Sequence, residues 1–220
     1  MACETKFRWQ NPLAPWRGSS KRRKRPLSLT VEEFRRLSCQ LNEPFKTMAF
    51  VQVCLGLRVS ELLALRWRDV DWMGSTLNVE PGIVNQHLDS VKTEESRKNM
   101  TLDPRLMSML SAWRLRSEFH DAADWISPSP VKLGRLPYSY TGYWRGLQDA
   151  AAAAGLGKLG THTFRHSYRS WLDAVGTAFT VQQKLKRHSD IQTTLNIYGD
   201  VVTMDMKEAC SKVARLALEN

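Results

Sequence analysis

The sequence predicts a mainly α-helical fold with one small antiparallel β-sheet. Three observations carry that reading. Apolar residues recur at helical spacing from Val31 to Trp67 and again from Pro104 to the end of the chain. Between about 74 and 102 the pattern shifts to short β-leaning pieces, "STLNVE", "GIVNQHL" and "KNMTL", separated by turn residues. No internal repeat appears at any solenoid period.

The elements follow in order. Residues 1–29 read as a basic linker: "NPLAPWRGSSKRRKRPLSL" holds three prolines, a Gly-Ser-Ser and five consecutive cations, Lys21, Arg22, Arg23, Lys24 and Arg25. Thr30 and Glu33 have the spacing of a capping box and open the helix "VEEFRRLSCQLN". Pro44 opens a second helix, "PFKTMAFVQVCLG", which Gly56 can close in the left-handed conformation. "VSELLALRW" reads as a third helix. After the sheet come "DPRLMSMLSAWRLRSEF", "SYTGYWRGLQDAAAAAG", "THTFRHSYRSWLDAVG", "TVQQKLKRH", "DIQTTLNIYG" and "TMDMKEACSKVARLALE", all with helical patterning. The expected divisions are 1–29, a main domain over 30–202, and a C-terminal helix over 203–220.

Composition narrows the function. The 220 residues carry 32 Lys and Arg against 22 Asp and Glu, a formal charge of +10, which favours a polyanionic partner. Cys3, Cys39, Cys54 and Cys210 are widely spaced with no CxxC pair, so neither a disulfide frame nor a zinc knuckle is expected. No apolar run is long enough to span a membrane, and the N-terminus lacks a signal-peptide core. The expectation is a cytoplasmic basic protein.

Several residues can carry chemistry, and each has a plain structural alternative. Arg58 and Glu61 lie three apart at a helix start, the spacing of an ordinary surface ion pair. Lys92 falls near the tip of a hairpin, where a lysine usually serves only to face water. His162 and His166 are four apart, but the intervening Thr-Phe-Arg lacks the glutamate of a zinc protease helix, and Arg165 would repel a metal. His166 can pack within its helix, and His188 can cap one. Tyr198, taken alone, reads as a core residue.

Their order along the chain is more informative. The stretches "GLRVSELLALRW", "KTEESRK", "HTFRHS" and "RHSDIQTTLNIYGD" resemble the catalytic domain of the tyrosine recombinases, the phage-integrase family, over roughly residues 27–205. The resemblance implies that fold and a site-specific recombinase or integrase activity on double-stranded DNA. It implies attack by Tyr198 on a phosphodiester, leaving a 3′-phosphotyrosyl link and a free 5′-hydroxyl. Arg58 and Arg165 would clamp the non-bridging oxygens, a task for which planar, always-charged forks suit better than lysine. Lys92 would be the general acid, His162 a proton shuttle, His188 a donor to the phosphate, and Glu61 a brace. No cofactor or metal is implied. Lys21 to Arg25 and Arg187 would contact DNA phosphates.

The family commonly has Leu-Gly before its third-motif histidine, where this chain has Lys186 and Arg187. Members also usually carry a DNA-clamping domain ahead of the catalytic one, so residues 1–29 are expected to be the tail of such a domain. The C-terminal helix has two readings: packing on its own domain, or donation to a neighbouring subunit. The resemblance implies homo-oligomers, a dimer on a site and a tetramer in synapsis. The rival readings are a catalytically silent DNA-binding remnant or regulator of a full-length integrase, and a metal-dependent nuclease. The nuclease would require clustered carboxylates that the sequence does not offer near its histidines.

Overall fold

The computed structural model describes residues 27–79, 83–84, 87–88, 98–160, 162–186 and 204–218. Helix α1 (Val31–Cys39) starts at the expected capping box: the Thr30 hydroxyl accepts from Glu33 N at 3.2 Å, and the Glu33 carboxylate accepts from Thr30 N at 2.8 Å. Its apolar stripe buries Phe34 and Leu37.

Helix α2 (Phe45–Leu55) is buried on all sides from Thr47 to Leu55. A helix apolar around its whole circumference must lie inside the domain, and α2 is the axis about which the others pack. Helices α4 (Pro104–Arg116), α5 (Tyr140–Ala153), α6 (Thr163–Ala174) and α8 (Met204–Leu218) all touch it. Phe34 sits at the aromatic centre, meeting Phe50, Phe164 and Trp171 edge-on at centroid distances of 5.1, 5.8 and 5.6 Å. The backbone of Leu29 is tied to α6, its N–H donating to Ser167 Oγ and its carbonyl accepting from Trp171 Nε1. Helix α7 (Phe179–Lys186) follows α6.

The sheet is antiparallel, in the order β1 (Val70–Asp71), β2 (Thr76–Val79), β5 (Lys98–Thr101), with Leu77 opposite Val70 on one side and Met100 on the other. Two details differ from the sequence reading. Among the described residues "GIVNQHL" does not join this sheet: β3 (Ile83–Val84) and β4 (His87–Leu88) pair with each other, and Val70–Asp71 supplies the third strand. "VSELLALRW" is not one helix either. Helix α3 stops at Leu63 (Val59–Leu63), and a 3₁₀ turn covers Trp67–Asp69. The backbone between them pairs with a distant loop, Ile126 N donating to Leu65 O and Trp67 N to Asp124 O, while the Arg66 guanidinium stacks 3.8 Å over Trp125. These tertiary bonds satisfy the groups that a continuing helix would have used. The expected helix "DIQTTLNIYG" lies outside the described residues.

Helix α8 packs on its own chain, burying Ala209, Cys210, Val213, Ala214 and Ala217 against α1, α2, α4 and α6. Ser211 Oγ donates to Asp103, the N-cap of α4, at 2.9 Å.

Candidate active site

The site is built where the turn after α2 meets α6. Gly56 ends α2 with φ +61, in the left-handed region that a side chain rarely adopts. Its missing side chain also makes room: a Cβ there would lie 2.3 Å from Cδ1 of Tyr168. Tyr168 is wholly buried on α6. The close approach of ring to glycine sets α6 against the turn, and the Arg165 Nη1, one helical turn earlier, donates to the Gly56 carbonyl. Gly56→Ala is therefore expected to destabilise the protein by about 2–5 kcal/mol, combining a left-handed alanine with overpacking against a ring that cannot retreat. Urea unfolding of the two proteins measures it.

Two residues beyond Gly56, Arg58 is the N-cap of α3 in extended conformation. Glu61 holds it twice: one carboxylate oxygen accepts from the Arg58 N–H at 2.8 Å and the other from Nη1 at 2.9 Å. The glutamate side chain is 11% exposed and the arginine 44%, so the guanidinium reaches solvent from a fixed root. The pair that reads from sequence as a surface ion pair is thus also a helix cap with its carboxylate largely enclosed.

His162 is the exposed N-cap of α6, just before its first turn, and not within the helix. His166, one turn on, is half-buried. Burial lowers its pKa, and the neighbouring His162, Arg165 and Arg169 lower it further, which favours a neutral ring. The N-terminal turns of α6 thus present His162, Arg165, His166 and Arg169 together.

Of the residues expected at the site, Arg58, Glu61, His162 and Arg165 are described, and Gly56 links the last to the first. Lys92, Arg187, His188, Tyr198 and the run Lys21 to Arg25 lie outside the described residues. The supporting roles of Gly56 and Tyr168 have no separate signal in the sequence, since a closing glycine and a helical tyrosine occur in many folds.

The sequence model of the phage integrase family matches residues 28–203. The chain belongs to the phage integrase family. This phage-integrase chain is 27% identical over 182 residues to the integrase of Staphylococcus phage L54a, covering 76% of this chain and 50% of that protein. It is 24% identical to the ICEBs1 integrase of Bacillus subtilis, covering 77% of this chain and 48% of that one. With the tyrosine recombinase of Thermosipho africanus the figures are 27% identity, 93% and 68%. The chain spans about half the length of the first two relatives.

Among solved structures it is similar to the integrase of mycobacterium phage Brujita, with a TM-score of 0.62 at 19% identity, covering 90% of this chain and 59% of that one. It is also similar to the Tn1549 transposon integrase in complex with circular intermediate DNA. There the TM-score is 0.63 at 20% identity, covering 84% of this chain and 66% of that one. The fold is that of a tyrosine recombinase catalytic domain, mainly helical with its small antiparallel sheet. Among the described residues no helix is long and apolar enough to cross a membrane.

Proposed function

We propose that this chain is the strand-breaking and rejoining part of a cytoplasmic site-specific DNA recombinase, acting on double-stranded DNA through Tyr198. The observation that carries the reading is the pinned pair of arginines: Arg165 bonded to Gly56, and Arg58 anchored by Glu61 two residues later, in a chain of this family.

The phenol oxygen of Tyr198 attacks the phosphorus, forming a 3′-phosphotyrosyl bond as the bond to the 5′-oxygen breaks. His162 takes the phenol proton, and Lys92 protonates the departing 5′-oxygen. Arg58, Arg165 and His188 hold the charge that spreads over the non-bridging oxygens. Because the arginines supply that charge, the reaction proceeds without a metal. The covalent link keeps the energy of the phosphodiester, so a 5′-hydroxyl rejoins the strand by the reverse steps without ATP.

Residues 1–29 serve as a basic linker whose cations, Lys21 to Arg25, lie along phosphates together with Arg187. The catalytic region is 30–202, with α8 packed on its own chain, and the recombinase works as a dimer on each site and a tetramer in synapsis.

Covalent capture tests the reading. The protein is mixed in EDTA with nicked duplexes tiled from the DNA flanking its gene, and the products are resolved in SDS. An adduct whose DNA-linked peptide contains residue 198 supports the reading. Binding in a gel shift at low salt with no adduct would instead make the chain a catalytically silent DNA-binding protein.

A further inference from the structure

The catalytic roles above leave unexplained a glutamine in the most apolar helix of the domain. Gln52 is wholly buried on α2, among Met48, Ala49, Val51, Val53 and Leu55. A buried amide is costly unless bonded, and this one is bonded at both ends. Its Nε2 donates to the Leu57 carbonyl at 3.2 Å, and its Oε1 accepts from the Tyr143 hydroxyl of α5 at 3.1 Å. Tyr143 is itself wholly buried, and burial holds its phenol well above the ordinary range, so it stays a neutral donor.

The Leu57 carbonyl belongs to the peptide unit whose N–H is that of Arg58. That single peptide is therefore held on both sides: the carbonyl by Gln52, the N–H by Glu61 at 2.8 Å. The preceding carbonyl, of Gly56, is held by Arg165. Two successive peptides leading into Arg58 are pinned by side chains from α2, α3 and α6. A guanidinium at the end of a long, flexible stem can be aimed only as well as its root is fixed.

We propose that Gln52 is a positioning residue which, by holding the Leu57 carbonyl, fixes the backbone from which Arg58 reaches the scissile phosphate. The inference rests on the catalytic reading given above. A leucine would fill much the same space and suit the helix, but would leave that carbonyl without its donor.

The test compares full-length wild type, Gln52→Leu and Trp113→Phe. Trp113→Phe removes a comparable hydrogen bond, Trp113 Nε1 to the Ile126 carbonyl at 2.8 Å, in a region assigned no part in the reaction. Single-turnover adduct formation is followed at saturating nicked duplex, well below the melting temperature of every variant. Gln52→Leu is expected to react about 10–100-fold more slowly with an unchanged dissociation constant for DNA. Trp113→Phe should react at the wild-type rate. On a duplex with an uncharged methylphosphonate at the scissile position, which lacks the charge Arg58 balances, the deficit of Gln52→Leu should shrink.

The positioning role is overturned if wild type reacts and Gln52→Leu reacts equally fast. It is also overturned if Trp113→Phe shares the deficit, or if the deficit persists undiminished on the methylphosphonate. Gln52→Met, which keeps the unbranched shape, replaces Gln52→Leu if the latter does not fold. A wild type that forms no adduct at all overturns the catalytic reading itself, a result distinct from every other.

Discussion

Tyr198→Phe is expected to form no SDS-resistant adduct with a nicked duplex, yet to bind it with wild-type affinity. The change removes one oxygen and keeps the ring, so packing and charge stay nearly as they were, and the expected loss is confined to chemistry. Removing the nucleophile of an enzyme that works through a covalent intermediate typically costs on the order of 10⁴-fold or more in rate. The other groups of the proposed site would not give the same product. An arginine stays protonated and a histidine would leave a different, acid-labile link. Capture of the DNA-linked peptide by mass spectrometry separates these outcomes from simple loss of binding. An adduct of undiminished yield in Tyr198→Phe would move the nucleophile elsewhere in the chain.

Arg165→Ala is expected to slow single-turnover adduct formation by about 10²–10³-fold, the usual cost of one preorganised donor to a developing negative charge. The position of Arg165 explains why lysine should restore little. The guanidinium has five donors in a planar fork, enough to bond the Gly56 carbonyl and a phosphate oxygen at once. An ammonium is a point charge on a flexible stem, and it cannot span both with the same geometry. Arg165→Ala also leaves the Gly56 carbonyl without this donor, so a stability loss of about 1 kcal/mol should accompany the kinetic one. Measuring rate and urea midpoint on the same preparations separates the two. A rate deficit no larger than the stability loss would make Arg165 a structural residue and leave Arg58 as the main phosphate clamp.

The sequence by itself determined a good deal about this protein. A capping box, a left-handed glycine and apolar stripes of the right period are local signals, and α1, α2, α4, α5, α6, α7 and α8 all formed where those signals lay. The motifs that point to the phage-integrase family are short contiguous stretches, so they too are legible without a fold.

Tertiary contacts decided the rest. Helix α3 ends early because the backbone of Leu65 and Trp67 finds partners about sixty residues away, in the loop at Asp124–Ile126, an option that local propensity does not encode. Val70–Asp71 pairs with β2 across the turn of residues 72–75, and β3 pairs with β4, so which short segments share a sheet follows from pairing that strand propensity alone does not specify. A glutamine in an apolar helix could have been noticed as out of place, but not as bonded to the peptide before Arg58. The bond from Arg165 to Gly56 spans 109 residues. It accompanies the close packing of the Tyr168 ring where Gly56 has no side chain, and no local pattern records that fit.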